Sequence, residues 1–251
     1  MIDDPTRALS FGAAAELYDR ARPTYPAELV EDLLALRPQA VLEVGCGTGK
    51  ASELFLGRVP SLLAVEPDAR MAAVARRKGV DVEVGPFERW EPSGRTFDLV
   101  IAAQSWHWVP EPEGAALARA VLRPGGHLGA FWNIGSHEDA TTAALDPIYQ
   151  QVAPAIAEHT TALRQPGEER HAHVQALHDG GFTPIEVRSY TWTAEYSRSQ
   201  WLDYISTHSD HLTLPDTQRN ELLARVGDAI DALGGGLAYH FQTILVLAGR
   251  G

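Results

Sequence analysis

A glycine-rich loop is the first feature of the sequence that could do chemistry. The stretch VLEVGCGTGK places Gly45, Gly47 and Gly49 directly after an apolar run and before a predicted helix. Glycine has no Cβ atom, so its backbone adopts left-handed conformations easily and a ligand can approach it closely. Backbone N–H groups and a helix N-terminus would then face one edge of a sheet. The pattern indicates a small-molecule site.

Three interpretations of this loop compete. A phosphate-binding P-loop requires Gly-x-x-x-x-Gly-Lys-Ser/Thr, but Gly45 is one residue too close to Gly49, and Ala51 replaces the required hydroxyl. The dinucleotide fingerprint requires a glycine or alanine where the chain has Lys50. A turn without a ligand is the structural alternative, although closely spaced glycines cost backbone entropy that a plain turn does not require.

A histidine between two tryptophans is the main candidate for an acid or base. His107 follows the predicted fourth strand FDLVIAA and is flanked by Trp106 and Trp108. Because imidazole titrates near neutral pH, it could take a proton from a phenol or an acidic carbon. A structural histidine with satisfied hydrogen bonds is the alternative.

The elements that must position these residues follow from the hydrophobic pattern. Between residues 40 and 133, short apolar runs alternate with amphipathic segments, which predicts parallel strands joined by crossover helices in a doubly wound α/β sheet. The later sequence predicts helices over 140–158, 168–178 and 199–233, a strand in TPIEVRSYTWT and a last strand in LAYHFQTILVLAG. No repeat or linker divides the chain.

The glycine loop belongs to an ordered series of motifs. Glu43 precedes the glycines in an E-x-G-x-G-x-G pattern, and Glu66 ends the second strand in LLAVEP. The segments PDARM, VEVGPFERW, FDLVIAAQSWHWV and RAVLRPGGHLGAFW follow in order. This series strongly resembles the class I S-adenosylmethionine-dependent methyltransferases over residues 40–133. The resemblance implies S-adenosyl-L-methionine as cofactor, S-adenosyl-L-homocysteine as product, and a Rossmann-like, mostly parallel sheet of seven strands whose last strand is antiparallel.

The resemblance also implies which residues hold the cofactor. Glu66 would accept hydrogen bonds from both ribose hydroxyls, and Met71 would pack on one adenine face. Phe87 and Glu88 would position the adenine edge, and the end of the fourth strand would lie beside the methionine moiety. The implied cofactor-binding residues of the core are Glu43, Gly45, Cys46, Gly47, Gly49, Glu66, Pro67, Met71, Phe87, Glu88, Ala103 and Gln104.

The N-terminal stretch YDRARPTYPAEL resembles a segment of small-molecule methyltransferases related to the trans-aconitate and quinone-pathway enzymes. Arg22 offers a planar donor fork for a carboxylate such as that of the cofactor's methionine moiety. Tyr18 and Tyr25 are candidate aromatic residues of a lid. A helix that merely packs on the domain is the alternative. We expect one domain over 1–251, with a helical lid segment at 1–37, a cofactor-binding core at 38–133, and substrate-side helices and final strands at 134–251.

Charge and cysteine content narrow the partners. The 251 residues carry a formal net charge of −12, which argues against nucleic acid and anionic membranes as partners. Cys46 is the only cysteine.

Two groups of histidines could suggest a metal site, but neither matches a strong ligand pattern, so we predict a solvated helix face and no metal. The groups are the histidines at 171, 173 and 178, and His208 and His211 with Asp210. Without a leader or membrane-spanning run, the sequence predicts a cytoplasmic monomer or homodimer.

The expected reaction is methyl transfer to O, C or N of a small metabolite by in-line displacement. The residues Gln104-Ser105-Trp106-His107 depart from the Asn/Asp/Ser-Pro-Pro-aromatic motif that the resemblance associates with DNA bases or glutamine. Aromatic residues near the C-terminal helices could line the acceptor chamber or simply pack those helices; they are Tyr190, Trp192, Tyr196, Trp201 and Tyr204. A catalytically inactive cofactor-binding regulator or partner subunit is the alternative function, because the loop and Glu66 argue only for binding.

Overall fold

The computed structural model describes residues 14–160 and 168–251, which form a seven-stranded sheet in the order β3-β2-β1-β4-β5-β7-β6. The strands are β1 (Ala40–Val44), β2 (Ser61–Glu66), β3 (Asp81–Val84), β4 (Phe97–Ala103), β5 (Leu122–His137), β6 (Ile185–Ser197) and β7 (Gly236–Gly249). β7 runs antiparallel to both of its neighbours, β5 and β6, and the other six strands share one direction. The predicted doubly wound sheet with an antiparallel last strand is confirmed.

Helices lie between the strands and over one edge of the sheet. They are α1 (Ala15–Ala21), α2 (Ala27–Leu34), α3 (Ser52–Phe55), α4 (Ala69–Arg77), α5 (Glu113–Val121), α6 (Asp139–Val152), α7 (Pro154–Thr160), α8 (Glu168–Asp179), α9 (Arg198–Ile205), α10 (Ser209–Leu212) and α11 (Asp216–Ala232). No described helix combines the length and apolar character needed to cross a bilayer.

The central strands are apolar on consecutive positions because both faces of the sheet are covered. Leu42 and Val100 belong to one core cluster, whereas Val41, Leu99 and Ile101 belong to another on the opposite face. The strand order reverses between β1 and β4, since β1 pairs with β2 on one side and with β4 on the other. Such a switch point opens a crevice at the carboxyl ends of the strands, which is where the glycine loop lies.

Two long predicted helices are interrupted in the structure. The segment 140–158 divides into α6 and α7 at Ala153, because Pro154 disfavours helical geometry in the residue before it. The segment 199–233 divides into α9, α10 and α11; α9 begins with a capping box formed by Ser197 and Gln200. The shorter helices let the chain curve over the carboxyl edge of the sheet.

An aromatic core lies between these helices, the C-terminal end of β6 and the N-terminal end of β7. Tyr196, Trp201, Tyr204, Tyr239 and Phe241 belong to one buried cluster. The ring centroids of Trp201 and Tyr239 are 4.8 Å apart, and those of Trp201 and Tyr204 are 5.2 Å apart. Trp192 packs against this cluster, so four of the five predicted aromatic residues pack the C-terminal helices onto the sheet, whereas the Tyr190 hydroxyl donates to Asp32 elsewhere.

Candidate functional site

Packing within the protein requires glycine at two positions of the glycine loop. Gly45 and Gly49 have φ angles of +66° and +81°. A Cβ atom on Gly45 would lie 2.6 Å from the Ser105 Cβ atom, and one on Gly49 would lie 3.1 Å from the Ala75 Cβ atom. These two glycines let the loop approach β4 and α4, so their role is partly the structural one.

Gly47 is different because its Cα faces a less crowded space. Its φ angle is +56°, and a Cβ atom there would meet only the Met71 Cε atom, at 3.5 Å. The Gly47 N–H donates a hydrogen bond of 2.8 Å to Glu66 Oε2. The loop, the Met71 side chain and the Glu66 carboxylate therefore form one cradle at the switch point.

Glu66 is the buried carboxylate of this cradle. Its Oε1 accepts the N–H of Asp68 at 2.9 Å, while Oε2 accepts that of Gly47. Burial raises the pKa of Glu66 to about 7, and the two backbone hydrogen bonds oppose that rise. Each carboxylate oxygen can accept more than one hydrogen bond, so both can still receive hydroxyl donors from a ligand.

Glu43 lies under the loop at the end of β1. Its side chain is only 1% exposed and accepts a hydrogen bond from the Ser52 hydroxyl. Burial raises the pKa of Glu43 to about 8, the Ser52 hydrogen bond opposes the rise, and the nearby charge of Glu66 adds to it. A ligand that donates hydrogen bonds to either carboxyl group, or brings a positive charge near it, would favour its ionised form.

The predicted adenine contacts divide between the cradle and the core. Met71 packs with Ala15, Val74 and Tyr18 beside the loop. The Phe87 side chain instead lies in the main core, with its ring centroid 6.2 Å from that of Trp90 and 6.4 Å from that of Trp106. The half-buried Glu88 follows it.

Cys46 and Pro67, two further residues predicted to bind the cofactor, differ in burial. Cys46 is packed in a small cluster with Ala64 and Ala72, and burial raises the pKa of its thiol well above the usual range. Pro67 is exposed immediately after Glu66.

The end of β4 turns sharply beside the loop. Gln104 has a φ angle of +57°, a left-handed conformation that is uncommon for residues other than glycine and often marks a functional position. Its backbone N–H donates to the Phe131 carbonyl at 2.9 Å. The Ser105 hydroxyl donates to the Val44 carbonyl at 2.5 Å. These bonds hold the turn after β4 against β5 on one side and the end of β1 on the other.

His107 is held by a neighbouring tryptophan. The Trp132 Nε1–H donates to His107 Nδ1 over 3.1 Å. Indole nitrogen can only donate, so Nδ1 carries a lone pair and the neutral ring carries its proton on Nε2. His107 also packs on Trp108, with ring centroids 4.8 Å apart. In this arrangement the ring presents a donor, which is the opposite of what a base requires.

The N-terminal residues reach across the carboxyl edge. Arg22 donates from Nη2 to the Thr207 carbonyl at 2.9 Å, and its guanidinium lies 5.1 Å from the Tyr18 ring centroid and 5.5 Å from that of Tyr204. Its Nε atom is buried without a hydrogen-bond partner among the described residues. Tyr25 packs edge-on to Phe131.

The prediction of a solvated surface for the second histidine group is wrong. His211 is fully buried, and its Nδ1 lies 2.8 Å from Asp210 Oδ1. Its Nε2 lies 3.0 Å from the Tyr149 hydroxyl. The sequence singled out these histidines but missed their burial and the contact with Tyr149, which lies 62 residues away and leaves no local pattern. It also missed Ser52 as the partner of Glu43.

These features fit S-adenosylmethionine. The buried acceptor Glu66 suits the ribose hydroxyls, and the open cradle at Gly47 suits a close backbone contact with the nucleoside. The Arg22 Nε–H, which has no hydrogen-bond partner among the described residues, suits a carboxylate.

Comparisons with known proteins point the same way. Residues 41–126 match the family model described as a methyltransferase domain. An uncharacterized methyltransferase of Mycobacterium tuberculosis is 29% identical over 248 residues, or 96% of each chain. Another from Schizosaccharomyces pombe is 31% identical over 225 residues, covering 86% of this chain and 85% of the relative. The trans-aconitate 2-methyltransferase of Mycolicibacterium gilvum is 26% identical over 85% of each chain.

A solved structure supports the fold. The chain described as a type II methyltransferase from Anaeromyxobacter dehalogenans superposes with a TM-score of 0.66 at 21% identity, covering 91% of this chain and 98% of that one. The sheet topology, the motifs and these relatives agree. The chain therefore belongs to the class I S-adenosylmethionine-dependent methyltransferases, and S-adenosylmethionine is its cofactor.

Proposed function

We propose that this methyltransferase acts on an O, C or N atom of a small metabolite. The observation that carries the proposal is the cradle of Gly47, Met71 and Glu66 at the switch point, with helices folded over the same edge of the sheet. Helices folded over that edge would restrict access to an acceptor of limited size and would not suit a flat macromolecular surface. The net charge of −12 supports the same conclusion, because it repels polyanions.

Specific residues would hold the cofactor. Glu66 would accept the ribose hydroxyls, Met71 would cover the adenine, and the free Nε–H of Arg22 would donate to the methionine carboxylate. The backbone of Gly45, Gly47 and Gly49 with Cys46 would line the loop, flanked by Glu43 and Pro67. The ends of the next strands would complete the site through Phe87, Glu88, Ala103 and Gln104.

Methyl transfer requires little covalent chemistry from the protein itself. The bound cofactor supplies a methyl group on a sulfonium, which is already a good electrophile. The chain must orient the acceptor in line with that group and exclude water. Tyr18 and Arg22, which bridge α1 and α9, would close the site on the N-terminal side.

His107 would act as a hydrogen-bond donor in this scheme. Its Nδ1 already accepts from Trp132, so use of Nε2 as a base would require a tautomer that sets two N–H donors against each other. As a donor, His107 would orient an acceptor atom. Replacing His107 with alanine should then lower turnover without changing cofactor affinity, and full turnover in a less stable variant would assign it a structural role.

The proposal extends to organisation and partners. We infer one domain over 1–251, with residues 1–37 as a lid segment, 38–133 as cofactor core and 134–251 as the acceptor side. Residues 1–13 of that lid lie outside the described residues. We also infer a cytoplasmic monomer or homodimer, and an organic acid is one acceptor class suggested by the name of the Mycolicibacterium gilvum relative.

Two measurements test this function. Isothermal titration should detect binding of S-adenosylhomocysteine, and methyl-labelled S-adenosylmethionine should label a small metabolite in a cell extract. Absence of heat and of any thermal shift at millimolar ligand would contradict cofactor binding. Binding without label transfer across varied extracts would instead support an inactive regulator.

A further inference from the structure

A cluster of metal-ligand side chains lies among the helices that cover the carboxyl edge. Three of them come from four consecutive residues, with His208 just before α10 and Asp210 and His211 on α10. One nitrogen of each histidine and one carboxylate oxygen of Asp210 all lie within 4.8 Å of one another. Two imidazoles and a carboxylate in such a group are ligands that divalent transition metals use.

Burial distinguishes this cluster from the solvated helix face that the sequence predicts. His211 is fully buried, and only 17% of the Asp210 side chain is exposed. Charged side chains often gather on a surface without binding an ion, but a carboxylate withdrawn from water needs a partner. The argument against a metal at these residues was their expected place on a solvated surface, and that argument no longer holds.

Asp210 and His211 hold a proton between them where a metal ion can lie. The carboxylate only accepts, so His211 Nδ1 donates to Asp210 Oδ1 over 2.8 Å, and Nε2 accepts the Tyr149 hydroxyl at 3.0 Å. A metal ion at Nδ1 displaces the proton, which moves to Nε2 and is donated to the Tyr149 oxygen. Metal-bound histidines usually donate their second ring N–H in this way.

His208 gives a second, independent indication of a ligand. Its Nε2 atom is buried and has no hydrogen-bond partner in the part of the chain that the structure describes. Its ring centroid lies 5.8 Å from that of His211 and 4.7 Å from that of Tyr204. A buried polar atom without a partner is uncommon and often marks an ion or a water. A metal ion bound at Nε2 satisfies this nitrogen.

We propose that His208, Asp210 and His211 bind one divalent cation of the Zn²⁺ class. Bonds of about 2.0–2.2 Å in a tetrahedral zinc site place the ligand atoms about 3.3 Å from one another. Side-chain rotations that move the three ligand atoms by about 1–2 Å give that spacing. Mg²⁺ and Ca²⁺ prefer oxygen ligands, so the two nitrogen atoms select against them. The site rests on these side chains alone and does not depend on the proposed acceptor.

The neighbouring charges define what the site can hold. The Asp210 carboxylate offsets one of the two positive charges of the ion. The Arg22 guanidinium, which contacts the Tyr204 ring and the Thr207 carbonyl, opposes further positive charge. Three protein ligands leave one position of a tetrahedral ion for water. The site therefore suits a single ion that joins α10 to α6 through the hydrogen bond to Tyr149.

Equilibrium dialysis of EDTA-treated protein against micromolar Zn²⁺ tests the proposal. We expect one Zn²⁺ per chain in the wild type and in H178Q, because His178 is exposed on α8. Affinity should fall at least about 100-fold in H208Q and about 10-fold in Y149F, which removes only the outer hydrogen bond. Excess Mg²⁺ should not displace Zn²⁺. A wild type that binds no Zn²⁺, or an H208Q variant that binds it equally well, would overturn the site.

Nitrogen NMR of the histidine rings identifies the ligands in the wild-type chain, so this measurement does not depend on how well a variant folds. On addition of Zn²⁺, the ring nitrogen signals of His208 and His211 should move, and those of His178 should stay in place. H208Q and H178Q assign the signals. Movement confined to other histidines would mean adventitious surface binding and would overturn the proposal.

Discussion

Glu43 and Glu66 are carboxyl groups that the fold holds away from water at the end of adjacent strands. Both positions can be identified from the sequence, because a residue at the carboxyl end of a buried strand faces the ligand edge. Their hydrogen-bond partners cannot be identified from the sequence. Ser52 reaches Glu43 from α3, and the backbone N–H groups of Gly47 and Asp68 reach Glu66 through loop geometry.

Replacing Glu66 with alanine should weaken S-adenosylhomocysteine binding by about 1–3 kcal/mol, because the ribose hydroxyls lose a buried acceptor. Isothermal titration measures the change. The exposed Glu91 serves as the control, and its alanine variant should bind like the wild type. Equal affinities for the wild type and the Glu66 variant would remove Glu66 from the ribose site.

Stability should fall as pH rises through the neutral range. The pKa of Glu43 is about 8 in the folded protein and near 4.5 when exposed, so the folded state holds the proton longer. That contribution is complete below about pH 4.5 and is lost as pH rises towards 8, at about 1.4 kcal/mol per pKa unit. Urea unfolding at pH 5 and pH 8.5 should show a smaller loss in E43Q than in the wild type or E91Q. Parallel losses in all three would contradict the assignment.

At the scale of elements, the loop between β1 and α3 combines two functions. Gly45 and Gly49 allow close packing against β4 and α4, and Gly47 opens the cradle. The sequence predicts the loop as a unit, since glycine spacing is a local signal. Which glycine serves packing and which faces the ligand depends on neighbours from other elements.

Gly47→Ala and Gly57→Ala form a matched pair. Both positions have positive φ angles, +56° and +73°, and neither added Cβ would meet backbone. Each variant should lose about 1–2 kcal/mol of unfolding free energy, because a side chain strains left-handed backbone. Only Gly47→Ala should also weaken S-adenosylhomocysteine binding in titration. An equal effect of both variants on affinity would mean that Gly47 does not face the cofactor.

At the scale of the whole molecule, one hydrogen-bond chain joins the outer strands to the N-terminal segment. Trp192 Nε1 donates to Thr243 Oγ1 at 2.9 Å, and Thr243 donates to Asn133 Oδ1 at 2.6 Å. Asn133 Nδ2 then donates to the Thr24 carbonyl at 3.0 Å. The hydrogen-bond chain crosses β6, β7 and β5 and ends at Thr24, so it ties the N-terminal segment to the sheet.

Thr243→Val should cost about 1–3 kcal/mol of unfolding free energy, because it leaves the partly buried Trp192 and Asn133 groups without their partner. Urea denaturation measures this loss. Thr243→Ser keeps the hydroxyl and should retain most of the stability. If the serine variant were as unstable as the valine variant, the lost methyl packing and not the hydrogen bonds would explain the effect.

The sequence by itself determined the sheet, the position of the cofactor edge and the residues that line the loop. These are local properties, since hydrophobic periodicity and glycine spacing are read along neighbouring residues, and parallel strands bring their carboxyl ends together. It overestimated helix length after Asn133, where the chain leaves helical geometry before Pro154, after Ile205 and before Pro215.

Only the tertiary structure decided which side chains meet across that edge. Arg22 binds Thr207 across 185 residues of sequence, and Tyr149 binds His211 across 62. The tautomer of His107 follows from its hydrogen bond with Trp132, which lies on another strand. Such contacts arise where α6, α9 and α10 fold over the carboxyl edge of the sheet. Pairs so distant in the chain share no local pattern from which they could be predicted.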